Sequence, residues 1–366
     1  MKSARSLCVI ALITIAACCI LSLGCSDDDS PTEPTAAWSW SPLGSGLNNT
    51  AYALHEYDDQ LIATGVFDSA GIVAANGIAA WDGSAWSPLG TGLDGGYGMA
   101  LAEWDGKLIV GGYFTTAGGV ACPNIAAWNG STWSALGAGL NNKVYALAVY
   151  HDTLYAGGMF SGSGGTTLDN IAKWDGSAWL PLLNGVSSRV DAMAVFHDWL
   201  AVGGLFTTAG GTIVNGIAQW TGTAFAPITV GLRREGYDPW CMALAVKADT
   251  LFVGGQFDSA GGVSSPNIAG VYGYAWRACG GGTGSPVHSL AILNGNVIAG
   301  GHFNMAGDRS VNCIASWNGT SWSPLSSGVT GDVIALTLWN GKLIAAGGFA
   351  EAGGKEARNI AEWSSR

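Results

Sequence analysis

Residues able to do acid–base or ligand chemistry are sparse in this chain, where charged side chains make up only 11%. Asp191 and His288 stand out because they fall at one place in an internal repeat that is otherwise filled by Tyr52, Met99, Tyr145, Met242 and Ile334. A carboxylate and an imidazole are the usual parts of an acid–base pair. These two lie two repeats apart, too far to hydrogen-bond directly, so they read as satisfied polar residues beside water. A second concentration lies in GLRREGYDPWCM, Gly231 to Met242, which carries Arg233, Arg234, Glu235, Tyr237, Asp238 and Trp240. Arginine with tyrosine and tryptophan is the composition of a binding hot spot. Arg189, Asp191, Arg233, Tyr237, Trp240 and His288 are therefore the expected ligand-binding set, with no catalytic residue among them.

Other chemistries find no support. His55, His151, His197, His288 and His302 are scattered and form no three-ligand metal set. No G-x-S-x-G elbow or phosphate-cradling loop stands between a strand and a helix. No metal and no cofactor are expected.

The elements that must position these residues are copies of one unit. Gly-x-Phe recurs as Gly65/Phe67, Gly112/Phe114, Gly158/Phe160, Gly204/Phe206, Gly255/Phe257, Gly301/Phe303 and Gly347/Phe349, with phenylalanines 47, 46, 46, 51, 46 and 46 residues apart. Periods of this length mark propeller blades. The single long spacing comes from about five extra residues in Gly231 to Met242, against blades of ordinary length.

Within the third copy, VYALAVY, TLYAGGMF, NIAKWD and AWLPLL read as four strands. His151-Asp152 joins the first pair and Asp175-Gly176 the second, and Asp-Gly or Asn-Gly at such points predicts type I′ hairpins. Loops before the first strand and between the second and third would then open on one rim, with the Asp191/His288 position at the mouth of a central channel.

The third strand repeats Ile-Ala, as in Ile171-Ala172, and ends on a tryptophan in six copies, Val271 being the exception. Alternation puts alanine and tryptophan on one face and isoleucine on the other. Tryptophan can stack on sugars, but recurrence at one register favours packing between neighbouring sheets. The last copy ends at Trp363 without a fourth strand, whereas Trp40-Ser41-Pro42-Leu43-Gly44 repeats Trp86-Ser87-Pro88-Leu89-Gly90. The expected fold is thus an all-β, seven-bladed β-propeller of four-stranded blades, spanning residues 36–366, its last blade closed by the N-terminal strand.

These motifs, GGxFxxAGG and NIAxWxGxxWxxLGxG, resemble the kelch repeat, and more closely the kelch-like repeats of fungal cortical cell-polarity markers and bacterial surface proteins. The resemblance covers Trp38 to Trp363. It implies a propeller displayed outside a membrane and no catalytic residue.

Residues 1–24 read as an export signal, with Lys2 and Arg5 ahead of an apolar run. Leu21-Ser22-Leu23-Gly24-Cys25 resembles the lipobox of bacterial lipoproteins, which implies lipid attachment at Cys25. Serine stands three places before the cysteine where leucine is usual. Residues 25–35 read as a flexible tether, since Ser26 to Thr35 is acidic, contains proline and lacks apolar residues. Loss of residues 1–24 would leave 13 basic residues against 26 acidic ones, a net charge of −13. Such a chain lacks the cationic footprint that nucleic acid requires. The expected partner is a protein or glycan at the cell envelope, with the membrane reached through the lipid anchor. A glycan-active enzyme, a polysaccharide lyase or glycoside hydrolase working from the rim, is the rival. Cys122, Cys241, Cys279 and Cys313 fall at different repeat positions, so their spacing pairs no two.

Overall fold

The computed structural model describes residues 38–365. The export signal, the tether and Cys25 lie outside the described residues. Among those described, regular structure is entirely β, arranged as seven four-stranded antiparallel sheets and smaller hairpins. The third sheet runs Val144–Tyr150, Thr153–Gly158, Ile171–Trp174 and Trp179–Pro181 in spatial as in chain order. Its alternation is direct: residues of Val144–Tyr150 are in turn buried and half-buried.

The seventh sheet has a different origin. Its strands Asp332–Trp339, Lys342–Gly348 and Ile360–Ser365 are completed by Trp38–Pro42, which pairs antiparallel with the last of them, Trp40 opposite Trp363. Trp40 is 1% exposed and packs with residues of the sixth and seventh sheets.

The core lies between sheets. Seven hydrophobic clusters each join two neighbouring sheets, and one of them unites Leu61 and Trp81 of the first sheet with Trp339 and Ile344 of the seventh. Within a third strand, Ile171 packs toward the fourth sheet while Ala172 and Trp174 pack toward the second. Tryptophans of the third and fourth strands lie at each other's side, as Trp174 and Trp179 do with ring centroids 5.3 Å apart. The fourth-strand indole then donates to the preceding unit: Trp86 Nε1 to the carbonyl of Leu43 at 3.1 Å, Trp133 to Leu89 at 3.0 Å. These indoles are buried and spent on packing, as their fixed register implies.

Two turns distinguish the hairpins. Between first and second strands the I′ expectation holds, with His151 and Asp152 at φ 47° and 56° and Tyr150 paired with Thr153. Between third and fourth strands it fails. Trp174 pairs with Trp179, so the loop has four residues, and only Gly176 has a positive φ, 99°. The reason is the Asp175 carboxylate, which accepts the backbone N–H groups of Ser177 at 2.8 Å and Ala178 at 2.7 Å. That Asx-type loop replaces the two-residue turn. The same bonds hold the Asp175 carboxyl below the usual carboxylate range.

Candidate functional site

The place shared by Asp191 and His288 has a backbone cause. In all seven sheets the register between first and second strands slips by one residue there, leaving Tyr52, Met99, Tyr145, Asp191, Met242, His288 and Ile334 each on a β-bulge. A bulge bends its strand and re-aims a side chain. The glycine of Gly-x-Phe makes room for it. A Cβ at Gly112 would strike the carbonyl oxygen of Tyr97, and one at Gly158 that of Lys143. A cavity of about 290 Å³ is lined by first-strand residues of every sheet, Tyr52, Tyr145, Asp191, Ser289 and Ile334 among them.

Three successive sheets meet at Arg189. Its guanidinium lies 4.2 Å from the ring centre of Tyr145 in the third sheet and 4.6 Å from that of Trp240 in the fifth. Its Nε donates to Asp191 Oδ1 at 2.9 Å, and its Nη2 also contacts that carboxylate. The Trp240 indole N–H donates to Asp191 Oδ2 at 2.8 Å. Burial raises the Asp191 carboxyl above its ordinary value, while Arg189 and Trp240 pull the other way. The carboxylate orients the arginine, and both rings lie within cation–π distance of its charge.

The rest of the expected set divides. Arg233 belongs to the short strand Leu232–Arg233, paired with Ser259–Ala260. Arg234 bridges to Tyr237 and stacks on its ring at 4.7 Å, leaving Tyr237 71% exposed. Arg233 and Tyr237 line a separate cavity of about 460 Å³ with Asn215 and Pro239. The insertion thus points two ways: Trp240 joins Arg189 and Asp191, whereas Arg233 and Tyr237 face another groove on the same rim.

His288 keeps other company. Burial lowers its pKa, Asp332 opposes that and His302 adds to it. His302 Nδ1 contacts the Asp332 carboxylate. Asp191 answers to Arg189 and Trp240, so the two polar bulge residues sit in separate clusters. Sequence reasoning gave Tyr145 no site role and passed over Tyr97, Tyr113, Lys143 and Asp332. Tyr113 and His302 occupy the free position of Gly-x-Phe, which was the available signal, because side chains there emerge on the rim.

Among the described residues no group of three or more His, Cys, Asp or Glu could hold a metal ion. The four cysteines described are free thiols. A further cavity of about 720 Å³, toward the hairpin ends of the first four sheets, is lined by His55, Glu56, Asp58, Asp59 and Glu103 among others.

A family profile described as "Domain of unknown function (DUF5122) beta-propeller" matches residues 105–126. No curated protein matches the sequence. Among solved structures, the extracellular domain of a hybrid two-component system from B. thetaiotaomicron is similar at 10% identity and a TM-score of 0.62 over 90% of this chain. This chain spans only 40% of that one. The WD40 β-propeller domain of Doa1 is similar at 15% identity and TM-score 0.56, over 90% of this chain and 97% of its own. The computationally designed Ika8 protein is similar at 16% identity and TM-score 0.52, over 89% and 99%. Together with the repeated four-stranded sheets, these likenesses define an all-β protein of the β-propeller class. They speak for propellers in general rather than for kelch repeats.

Proposed function

We propose that this chain is a closed, seven-bladed, kelch-like propeller that is exported, anchored to a bacterial membrane through a lipid on Cys25, and binds a protein or glycan without catalysing its conversion. The observation that carries the binding role is Arg189, held between Tyr145 and Trp240 by side chains from three sheets. Such an assembly is pre-organised, so little entropy is lost when a ligand meets it. Closure is supported by the pairing of Trp38–Pro42 with Ile360–Ser365 and by the cluster between first and seventh sheets. An external address is consistent with the likeness to an extracellular domain. Nothing in the charge balance favours nucleic acid.

A glycan-active enzyme is the second reading, favoured by the contact between His302 and Asp332 near His288. One experiment separates the two. Residues 36–366 are offered to a glycan array and to solubilised envelope proteins, and any captured ligand is analysed after prolonged incubation. Recovery of intact ligand supports the binding reading. Accumulating cleavage products would transfer the case to the enzyme.

A further inference from the structure

Seven side chains of the first five sheets form two contact groups on this rim, joined through the backbone between Lys143 and Tyr145. The rings of Tyr52 and Tyr97 lie 5.5 Å apart, and those of Tyr97 and Tyr113 6.2 Å. Lys143 Nζ stands 5.4 Å from the centre of Tyr113. Two residues beyond Lys143 is Tyr145, whose ring carries Arg189 at 4.2 Å, and Arg189 meets Trp240 at 4.6 Å. Tyr113 is 47% exposed and the others are half-buried. Neither cation is fully used. Among the described residues Lys143 makes no ion pair with a carboxylate, and Arg189 engages Asp191 through Nε and Nη2, with no hydrogen-bond partner at Nη1.

We propose that the two groups together are a binding platform for an anionic oligosaccharide, its sugar rings carrying carboxylate or sulfate. The inference rests on the binding reading above and names its ligand class. Pyranose rings present apolar C–H faces that lie flat on aromatic rings, while their hydroxyls stay at the wet edge, a division that tyrosine and tryptophan match. Cations interleaved among the rings then meet acidic substituents, and arginine presents several donors in a fixed plane for carboxylate or sulfate oxygens. Side chains spread over five successive sheets suit a chain-like ligand. A stable protein partner would need about 800 Å² on each side, and an acidic peptide lacks the flat apolar faces these rings offer. The cavity on the hairpin side of the first four sheets, lined by Glu56, Asp58, Asp59 and Glu103, would repel an anionic chain.

The test titrates the full chain with oligogalacturonate, a sulfated oligosaccharide, a neutral cello-oligosaccharide of equal length and poly-glutamate. At least one anionic sugar should bind, at least about tenfold more tightly than the neutral one, and more weakly as salt rises. Tyr113→Ala and Lys143→Ala should each lower that affinity roughly tenfold or more, with Lys143→Arg retaining most of it and all three variants melting with the parent. The carboxylate and sulfate arms decide which acid is read. Equal binding of the neutral sugar or of poly-glutamate, no binding of either anionic sugar, or indifference to both alanine variants would overturn the ligand class. The broader binding reading would then still stand or fall on the envelope and glycan screen.

Discussion

Trp40 Nε1 donates a hydrogen bond of 3.0 Å to the carbonyl oxygen of Leu325, a residue 285 positions further along the chain. The same bond links Trp86 to Leu43 and Trp322 to Cys279 across separations of 43 residues. The N-terminal strand therefore occupies, between the last two sheets, the place that a local fourth strand occupies elsewhere. Trp40→Ala should cost roughly 3–5 kcal/mol, as truncation of a buried aromatic does. Deletion of Trp38 to Pro42 should cost more, since it also exposes the edge of Ile360–Ser365. Thermal unfolding checks both, and melting temperatures equal to the parent's would contradict closure by this strand.

Side-chain volume is exchanged across sheet boundaries. A Cβ on Gly111 would meet Val144 of the next sheet, on Gly157 Val190, and on Gly300 Val333. At the first boundary the order is reversed, Thr64 facing Gly98, with the threonine hydroxyl donating to the Gly77 carbonyl at 2.6 Å. Gly98→Val alone should cost about 1–3 kcal/mol by overpacking. Adding Thr64→Gly should recover much of that loss, because neighbours sharing one space are not additive. Denaturant melts of the single and double variants read the coupling, and simple additivity would show that the two sites do not compete.

Acid should loosen the fold through two histidines. Burial holds His55 and His288 below their ordinary value of 6.5, more than Glu103 and Asp332 raise them. The unfolded chain then binds protons at a higher pH than the folded one, so stability rises with pH across this interval. Their contribution is complete above 6.5 and is lost as pH falls through that value toward the lower folded pKa. Melting curves at about pH 7 and about pH 5 should show a smaller drop for His55→Gln than for the parent. An equal drop would assign the pH dependence to other groups.

Lipid attachment has its own readout. A lipid adds about 0.8 kcal/mol of membrane affinity per buried methylene, so an acylated Cys25 would hold the protein in the membrane fraction. Cys25→Ala should abolish palmitate labelling and release the protein. Continued labelling of the variant would refute the lipobox reading.

Much of the scaffold was readable because each repeated residue had one job. The Ile-Ala-x-Trp strands, the hairpin at His151-Asp152 and the partner of Trp363 all follow from alternation, turn chemistry and a missing strand. The bulges were hidden, since a slip of one residue leaves the hydrophobic pattern of Val144–Tyr150 looking regular. Gly158 recorded it only as a glycine required where Lys143 comes close. The turn at Asp175 was misread because its side chain, rather than its φ, sets the loop. The site was legible by composition and not by direction. Arg234 and Tyr237 bridge and turn Tyr237 to solvent, while Trp240, three residues on, begins a strand and reaches Asp191. No spacing rule separates those two outcomes.

Hydrogen exchange of the full chain, with and without the ligand recovered from the screen, tests the central claim most directly, because it asks which face the ligand covers. The account predicts slowed exchange in segments holding Lys143 to Tyr145, Arg189 to Asp191 and Trp240, with the hairpin rim unchanged. Protection confined to the hairpin-side cavity, around His55, Asp58 and Glu103, would contradict it.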